Sequence, residues 1–248
     1  MCILSLFDEE DLPEEKPKSN SSPIEENDIV FNECYLGLKE SEKRKRRTLN
    51  KHPLPSDTPV EGRFQIPKVS AYTSSVPDVF IPYSARVCYN SEYKGVYCNI
   101  DDPGFSSTWT KPISALRKVQ HYSVAVAPDH TLWVDASICE NVEQIRRSRT
   151  TQIFWQNNGV PTIQVASWGD AESVRTYAFD GLAENSWTAF GHQRVGNSAE
   201  QRLFEYAVRT LVEVKQPIGL LVFGAPLGFD PGVPVIIKPS FISKLRNL

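Results

Sequence analysis

Short apolar runs recur along the chain from residue 95 onward, and polar residues follow nearly every one. GVYCNI at 95–100, YSVAVA at 122–127, VPTIQVA at 160–166, SWTAFG at 186–191 and IGLLVF at 218–223 have the β-branched and aromatic content of strands. A further strand is expected at 233–237. Between the runs, apolar residues return at helical spacing. This predicts helices at 112–120, at 141–158 with Asn141 as N-cap and Gly159 as stop, around 171–177, and at 198–215 capped by Ser198. The last carries the clearest stripe: Leu203, Phe204, Ala207, Val208, Leu211 and Val212. Residues 76–84, bounded by prolines, read as irregular or edge structure. Residues 105–112 read as a loop with an exposed Trp109.

Strand and helix alternate at least three times, the pattern that builds a mostly parallel sheet. Two α/β architectures fit: a partial or distorted β/α barrel and an open doubly wound sheet. The barrel is favoured, because successive strands each carry polar residues straight after their C-terminal ends. The strand number falls short of a full eight.

Composition changes the picture mainly before residue 64. Residues 1–28 are rich in Asp, Glu, Pro and Ser and read as a flexible acidic tail. Residues 29–38 are a mixed segment suited to a strand or turn. The block KESEKRKRRTLNKH at 39–52 is densely basic, and 52–67 is a proline-rich arm. Residues 1–63 are thus expected to be tail, block and arm, and 64–248 a single α/β domain. The net charge of −3, with 40% apolar and 23% charged residues, is ordinary for a globular protein. No apolar run reaches the roughly 20 residues of a bilayer span, and no secretory signal is expected. Cys2, Cys34, Cys88, Cys98 and Cys139 form no CxxC pair, which suits reduced thiols in a cytoplasm. The scattered histidines offer no zinc spacing.

Candidate chemistry is placed by topology. In either α/β form the crevice lies at the carboxyl ends of the strands. That places Asn99, Asp101 and Asp102 after one strand and Asp129 and His130 after the next. Trp168 and Asp170, His192 and Arg194, and finally Gly224 come after the later ones. Asp129 suits a general base or a turn-capping residue. Asp101, Asp129 and Asp170 together could hold Mg²⁺. His192 suits acid–base work or a hydrogen-bonded loop position. Trp168 suits a stacking platform or a cap on the barrel. Arg146 and Arg149 share a helix face and suit a bidentate anion clamp, a solvated face or a pairing with Glu143. Gly224 reads as a tight turn or a close approach to a ligand. Lys43, Arg44, Lys45, Arg46 and Arg47 suit contact with a nucleic-acid backbone, with an acidic host protein, or with solvent alone. Dinucleotide, P-loop, serine-hydrolase and zincin motifs are all absent.

Several segments carry a resemblance: PDH at 128–130, RRSRTTQIFWQNNGVPTIQVASW at 146–168, FDGL at 179–182, IGLLVFG at 218–224, and STWTKP at 107–112. Over roughly 76–224 the chain resembles the DUF4417 family, a domain of unknown function found in bacteria, archaea, phages and other mobile elements. His130 stands where the family pattern continues with an aromatic residue and Ser, so the Asp129 loop is expected to differ. The resemblance implies an intracellular, mobile-element context and no particular reaction.

The leading expectation is an enzyme directed at a nucleotide or nucleic acid, with its site at the strand ends. A non-catalytic protein engaging DNA or a host protein through the basic arm is the second. A glycan- or small-molecule-directed barrel enzyme is the third. The acidic tail is placed to cover the basic block by charge. Deleting residues 1–28 is therefore expected to raise non-specific DNA affinity at low salt, read by mobility shift at two ionic strengths. Unchanged affinity would sink that idea.

Overall fold

The computed structural model describes residues 54–55, 57–86, 91–100, 102–192 and 197–240. The acidic tail, the basic block with Lys43, Arg44, Lys45, Arg46 and Arg47, and the candidates Asp101 and Arg194 lie outside the described residues.

Two strands, β1 (Val60–Glu61) and β2 (Ile66–Pro67), form a small antiparallel hairpin. Seven more build one sheet: β3 (Phe80–Pro82), β4 (Gly95–Tyr97), β5 (Val124–Val126), β6 (Thr162–Val165), β7 (Trp187–His192), β8 (Gly219–Gly224) and β9 (Val235–Lys238). They lie in chain order, and every neighbouring pair is parallel. A doubly wound sheet reverses its strand order at a switch point; this one never does. Right-handed crossovers in constant order send every helix to the same face, so the sheet curls away from them into a half-barrel. The favoured architecture is therefore the one present. At the open side, Lys238 of β9 donates from Nζ to the Asp78 carbonyl (2.7 Å), just ahead of β3.

The helices are α1 (Ser107–Thr110), α2 (Pro112–Val119), α3 (Ile138–Asn157), α4 (Ala171–Thr176) and α5 (Ser198–Lys215). Period-two alternation in the strands divides the core. Tyr97, Val124, Val126, Ile163, Ala189, Leu221 and Phe223 pack together with Phe80 on the concave face. Val96 and Ala125 meet Leu116 of α2 and Trp155 of α3 on the convex face. Phe190, Leu220 and Val222 meet Phe204, Val208 and Leu211 of α5 there as well.

Several local expectations are corrected. Helix α3 starts earlier, because Ser137 and Glu140 form a capping box: the Ser137 side chain accepts from the Glu140 N–H, and Glu140 accepts from the Ser137 N–H. Asn141 is instead buried and holds the Trp133 backbone at both its N–H and its C=O. Asn197, not Ser198, caps α5 by accepting from the N–H groups of Ala199 and Glu200. Trp109, expected on a loop, sits in α1, half-buried under the guanidinium groups of Arg146 and Arg147. Residues 76–84 hold β3 at the sheet edge, one of the two forms expected.

The stretch read as an arm is strapped to the barrel. Glu61 pairs with the buried Lys215 ammonium (2.6 Å) and accepts from the Gly181 N–H (2.7 Å). Ile66 is fully buried. Gln156 exchanges two hydrogen bonds with the Ser70 backbone. Gly181 has φ +75°, and a Cβ there would lie 2.4 Å from the Pro67 carbonyl, so only glycine lets the strap close.

Under this strap, α3 is buried from Ser148 to Trp155 without a break, polar residues included. Arg149 is 0% exposed. Its guanidinium donates to the carbonyls of Val165 (2.8 Å), Ala178 (3.3 Å) and Asp180 (3.2 Å). Burial lowers its pKa to about 10, with the charges of Asp129, Asp180 and Glu61 opposing, and it stays cationic at neutral pH.

Arg149→Leu leaves three carbonyls without their donor. It is expected to cost about 3 kcal/mol or more in urea titration. Arg146→Ala, which breaks a half-exposed pairing with Glu143 and uncovers part of Trp109, is expected to cost about 1 kcal/mol or less. Similar losses for the two would contradict this account.

Candidate functional site

Parallel strands in chain order end on one rim, and the residues just past those ends converge there. Asn99 follows β4, Asp129 follows β5, Ser167 follows β6, His192 closes β7 and Phe223 lies near the end of β8. They line a half-open cavity of about 460 Å³. Its walls differ in chemistry. One is polar, with Asn99, Asp129, His130, Thr131 and Ser167; the other is aromatic, with Trp168, Phe190 and Phe204. Trp168 packs against Phe190 (5.6 Å), Phe204 (5.7 Å) and Phe179 (6.3 Å), ring centre to ring centre.

Asp129 is the centre of the polar wall. Asn99 Nδ2 donates to its Oδ2 (2.7 Å), and Ser167 Oγ donates to its Oδ1 (2.5 Å). Protein surrounds the carboxyl, and Asp129 as a residue is half-buried and lines the cavity. Burial raises its pKa to about 6, with the Asp102 charge adding. The two hydrogen bonds and the Arg149 charge hold the rise back. Beside it, Asp102 accepts from Thr131 Oγ1 (2.8 Å). His130 is buried against Phe105, and burial lowers its pKa to about 4, so its ring is neutral at physiological pH.

His192 lies flat on Phe204, with centroids 4.0 Å apart and planes 17° from parallel. Its Nδ1 sits 2.9 Å from the Ala225 carbonyl, which places the proton there in the neutral ring. Gly224 makes that contact possible. It has φ +130°, and a Cβ there would lie 2.1 Å from the His192 carbonyl. Its close approach is to the neighbouring strand.

Asp129, Trp168 and His192 thus come together, and Gly224 sits behind His192 without lining the cavity. The other candidates stand apart. Arg149 lies beneath the rim, tied to backbone carbonyls. Arg146 is held by both oxygens of Glu143. Asp170 caps α4 by accepting from the Ser173 N–H (2.7 Å). Among the described residues no three His, Cys, Asp or Glu side chains are grouped to hold a metal ion. Ser167, Thr131, Phe190, Phe204 and Glu200 also line the cavity and were not among the candidates read from the sequence. For Ser167 the signal was present, since it immediately precedes Trp168 at a strand end. Phe204 and Glu200 come from α5, whose approach to the rim is a tertiary fact.

Fold and site together define a parallel β/α half-barrel with a strand-end crevice, part carboxylate and part aromatic. The chain belongs to the family described as Domain of unknown function (DUF4417), which matches residues 58–235. Similar proteins include the Gene 1 protein of Mycobacterium phage D29, 29% identical over 175 residues, covering 65% of this chain and 64% of that protein. The Gene 1 protein of Mycobacterium phage L5 is 30% identical over 126 residues, covering 50% of this chain and 55% of that protein. The matches therefore span less than two thirds of either relative's length. No solved structure matches. No helix among the described residues is long and apolar enough to cross a membrane.

The Asp129 carboxyl binds its proton more tightly folded than unfolded. Stability is therefore expected to fall as pH rises from about 4 to about 6, and to level off above. A rise from 3.8 to about 6 corresponds to up to about 3 kcal/mol. Asp129→Asn is expected to flatten that segment of the stability–pH curve, measured by denaturant titration at fixed pH values. An unchanged slope in the variant would assign the titration elsewhere.

Proposed function

We propose that this chain is an enzyme directed at a nucleobase, free or within a single-stranded nucleic acid, with its reaction centre at Asp129. The reading includes an intracellular site of action in the host of a phage or mobile element. The observation that carries it is Asp129, a half-buried residue at a strand end that lines the cavity and whose carboxyl pKa of about 6 suits proton transfer near neutrality. The cavity around it has room for a base and an aromatic wall for stacking. Among its described lining residues there is no Lys or Arg, which favours an uncharged ring over a phosphate group in the crevice. In a strand substrate the phosphates would lie outside the crevice while a base swings in, and the charge of Lys43, Arg44, Lys45, Arg46 and Arg47 suits such a backbone. The phage proteins among its relatives support the setting but name no reaction.

The test incubates full-length protein with nucleosides and single-stranded oligonucleotides, following binding by calorimetry and products by mass spectrometry. A bound base and a new product are expected. Asp129→Asn should still bind but form product about 10² to 10⁴ times more slowly. Binding without any product would favour the non-catalytic reading, and no binding would end the proposal.

A further inference from the structure

Outside the cavity, one surface of α3 carries more positive charge than it pairs. Arg146 and Arg147 both reach back one turn to Glu143. Arg146 donates from Nε (2.7 Å) and Nη2 (2.9 Å), and Arg147 from Nε (3.0 Å). Both guanidinium carbons also lie over the Trp109 ring, 5.7 and 5.4 Å from its centre. Two cations thus converge on one carboxylate and one ring. Burial raises the Glu143 pKa, but hydrogen bonds and charge from the two arginines outweigh it and hold the carboxyl below its ordinary value. At neutral pH two positive charges therefore face one negative charge.

The surplus is open to solvent. Side-chain exposure is 40% for Arg146 and 35% for Arg147. Among the described residues, Nη1 of Arg146 and both Nη atoms of Arg147 have no hydrogen-bond partner. Like charges held side by side repel, and Glu143 has no third oxygen to offer; a bridging anion would relieve both. The cluster stands close enough to the crevice for the charges of Arg147 and Glu143 to act on His130, which lines the cavity. Asp102 also acts on His130, and its carboxylate is taken up by the Thr131 N–H (3.3 Å) and hydroxyl (2.8 Å).

We propose that Arg146 and Arg147 form a phosphate site beside the crevice, holding a phosphate of the nucleotide whose base enters it. The inference rests on the nucleobase reading above and adds where the phosphate goes. The planar fork of each guanidinium matches phosphate oxygens. The Trp109 ring attracts both cations and helps to keep the two forks together. The cavity has no Lys or Arg among its described lining residues, so the neutral base and its charged phosphate are received by different surfaces. The same chemistry serves the 5′-phosphate of a free nucleotide and the backbone phosphate of a strand.

Calorimetry on the full chain would compare the common nucleosides, their 5′-monophosphates and short single strands of mixed sequence. A phosphate-bearing form is expected to bind about tenfold more tightly than its nucleoside. Arg146→Gln combined with Arg147→Gln should cut that margin to about threefold or less and leave nucleoside affinity unchanged. Glu143→Gln has the opposite sign: it removes the competing charge and should tighten the phosphate forms, a gain that a merely structural ion pair does not predict. The basic block is present in every variant, so its attraction for a strand cancels in the comparison. A margin seen with monophosphates identifies the free nucleotide as the source, and one confined to strands identifies the backbone. Phosphate forms that bind the unaltered chain and these variants alike would overturn the phosphate site and leave the nucleobase reading standing. If no nucleoside, nucleotide or strand binds, the nucleobase reading falls, and inorganic pyrophosphate titrated against the Trp109 indole NMR signal decides the site alone. A shift lost in the double variant supports it; no shift ends it.

Discussion

The Arg149 guanidinium is the interaction on which the most structure depends. A cation with no exposed surface survives only where its hydrogens are matched, and here carbonyls supply the match. One of them, Val165, is the last residue of β6, two residues before Ser167. The other two lie in the turn that leads to Gly181, where the hairpin of β1 and β2 docks through Glu61 and Ile66. A single side chain thus joins the central helix, the rim of the sheet and the strap across its outer face. Removing the strap would open α3 to water; removing Arg149 would free the rim.

That arrangement bears on the chemistry of Asp129. Arg149 makes no hydrogen bond to it, yet its positive charge opposes the rise in the carboxyl's pKa. Burial alone would push that carboxyl further from its ordinary value. The two hydrogen bonds from Asn99 and Ser167 act in the same direction as the arginine. The intermediate value of about 6 is therefore a balance among dehydration, two donors and one remote cation. The rigid tie of Arg149 to backbone keeps its contribution constant.

The sheet and its rim were legible in the sequence because both depend on period-two apolar runs and on the polar residues just beyond them. Asp129, Trp168 and His192 were placed at one crevice from position alone, and all three line the same cavity. Caps were read less well. Ser137 and Glu140 stand at capping-box spacing, but Asn141 is an equally good N-cap by residue type, and only the buried loop around Trp133 decides between them. Helix α3 shows the deeper limit. Ser148, Arg149, Thr150, Thr151 and Gln152 look solvent-facing in hydropathy, yet all are buried. The cause is tertiary cover, from β6 and the turn at 178–180 as well as from the strap some ninety positions earlier, which no local window can register. Arg146 and Arg149 share a nominal helix face, yet one is a half-exposed ion pair with Glu143 and the other an interior hub tied to the carbonyls of Val165, Ala178 and Asp180.

The extent of the family match adds one further step. It runs from residue 58 to 235, from just before the β1 hairpin to the first residue of β9. The shared unit is thus the half-barrel together with its strap, and the strand-end crevice falls wholly inside it apart from Ser240. The basic block at 43–47 falls outside. A part played by the crevice is therefore open to test across the family, whereas one played by the block is to be tested in this chain.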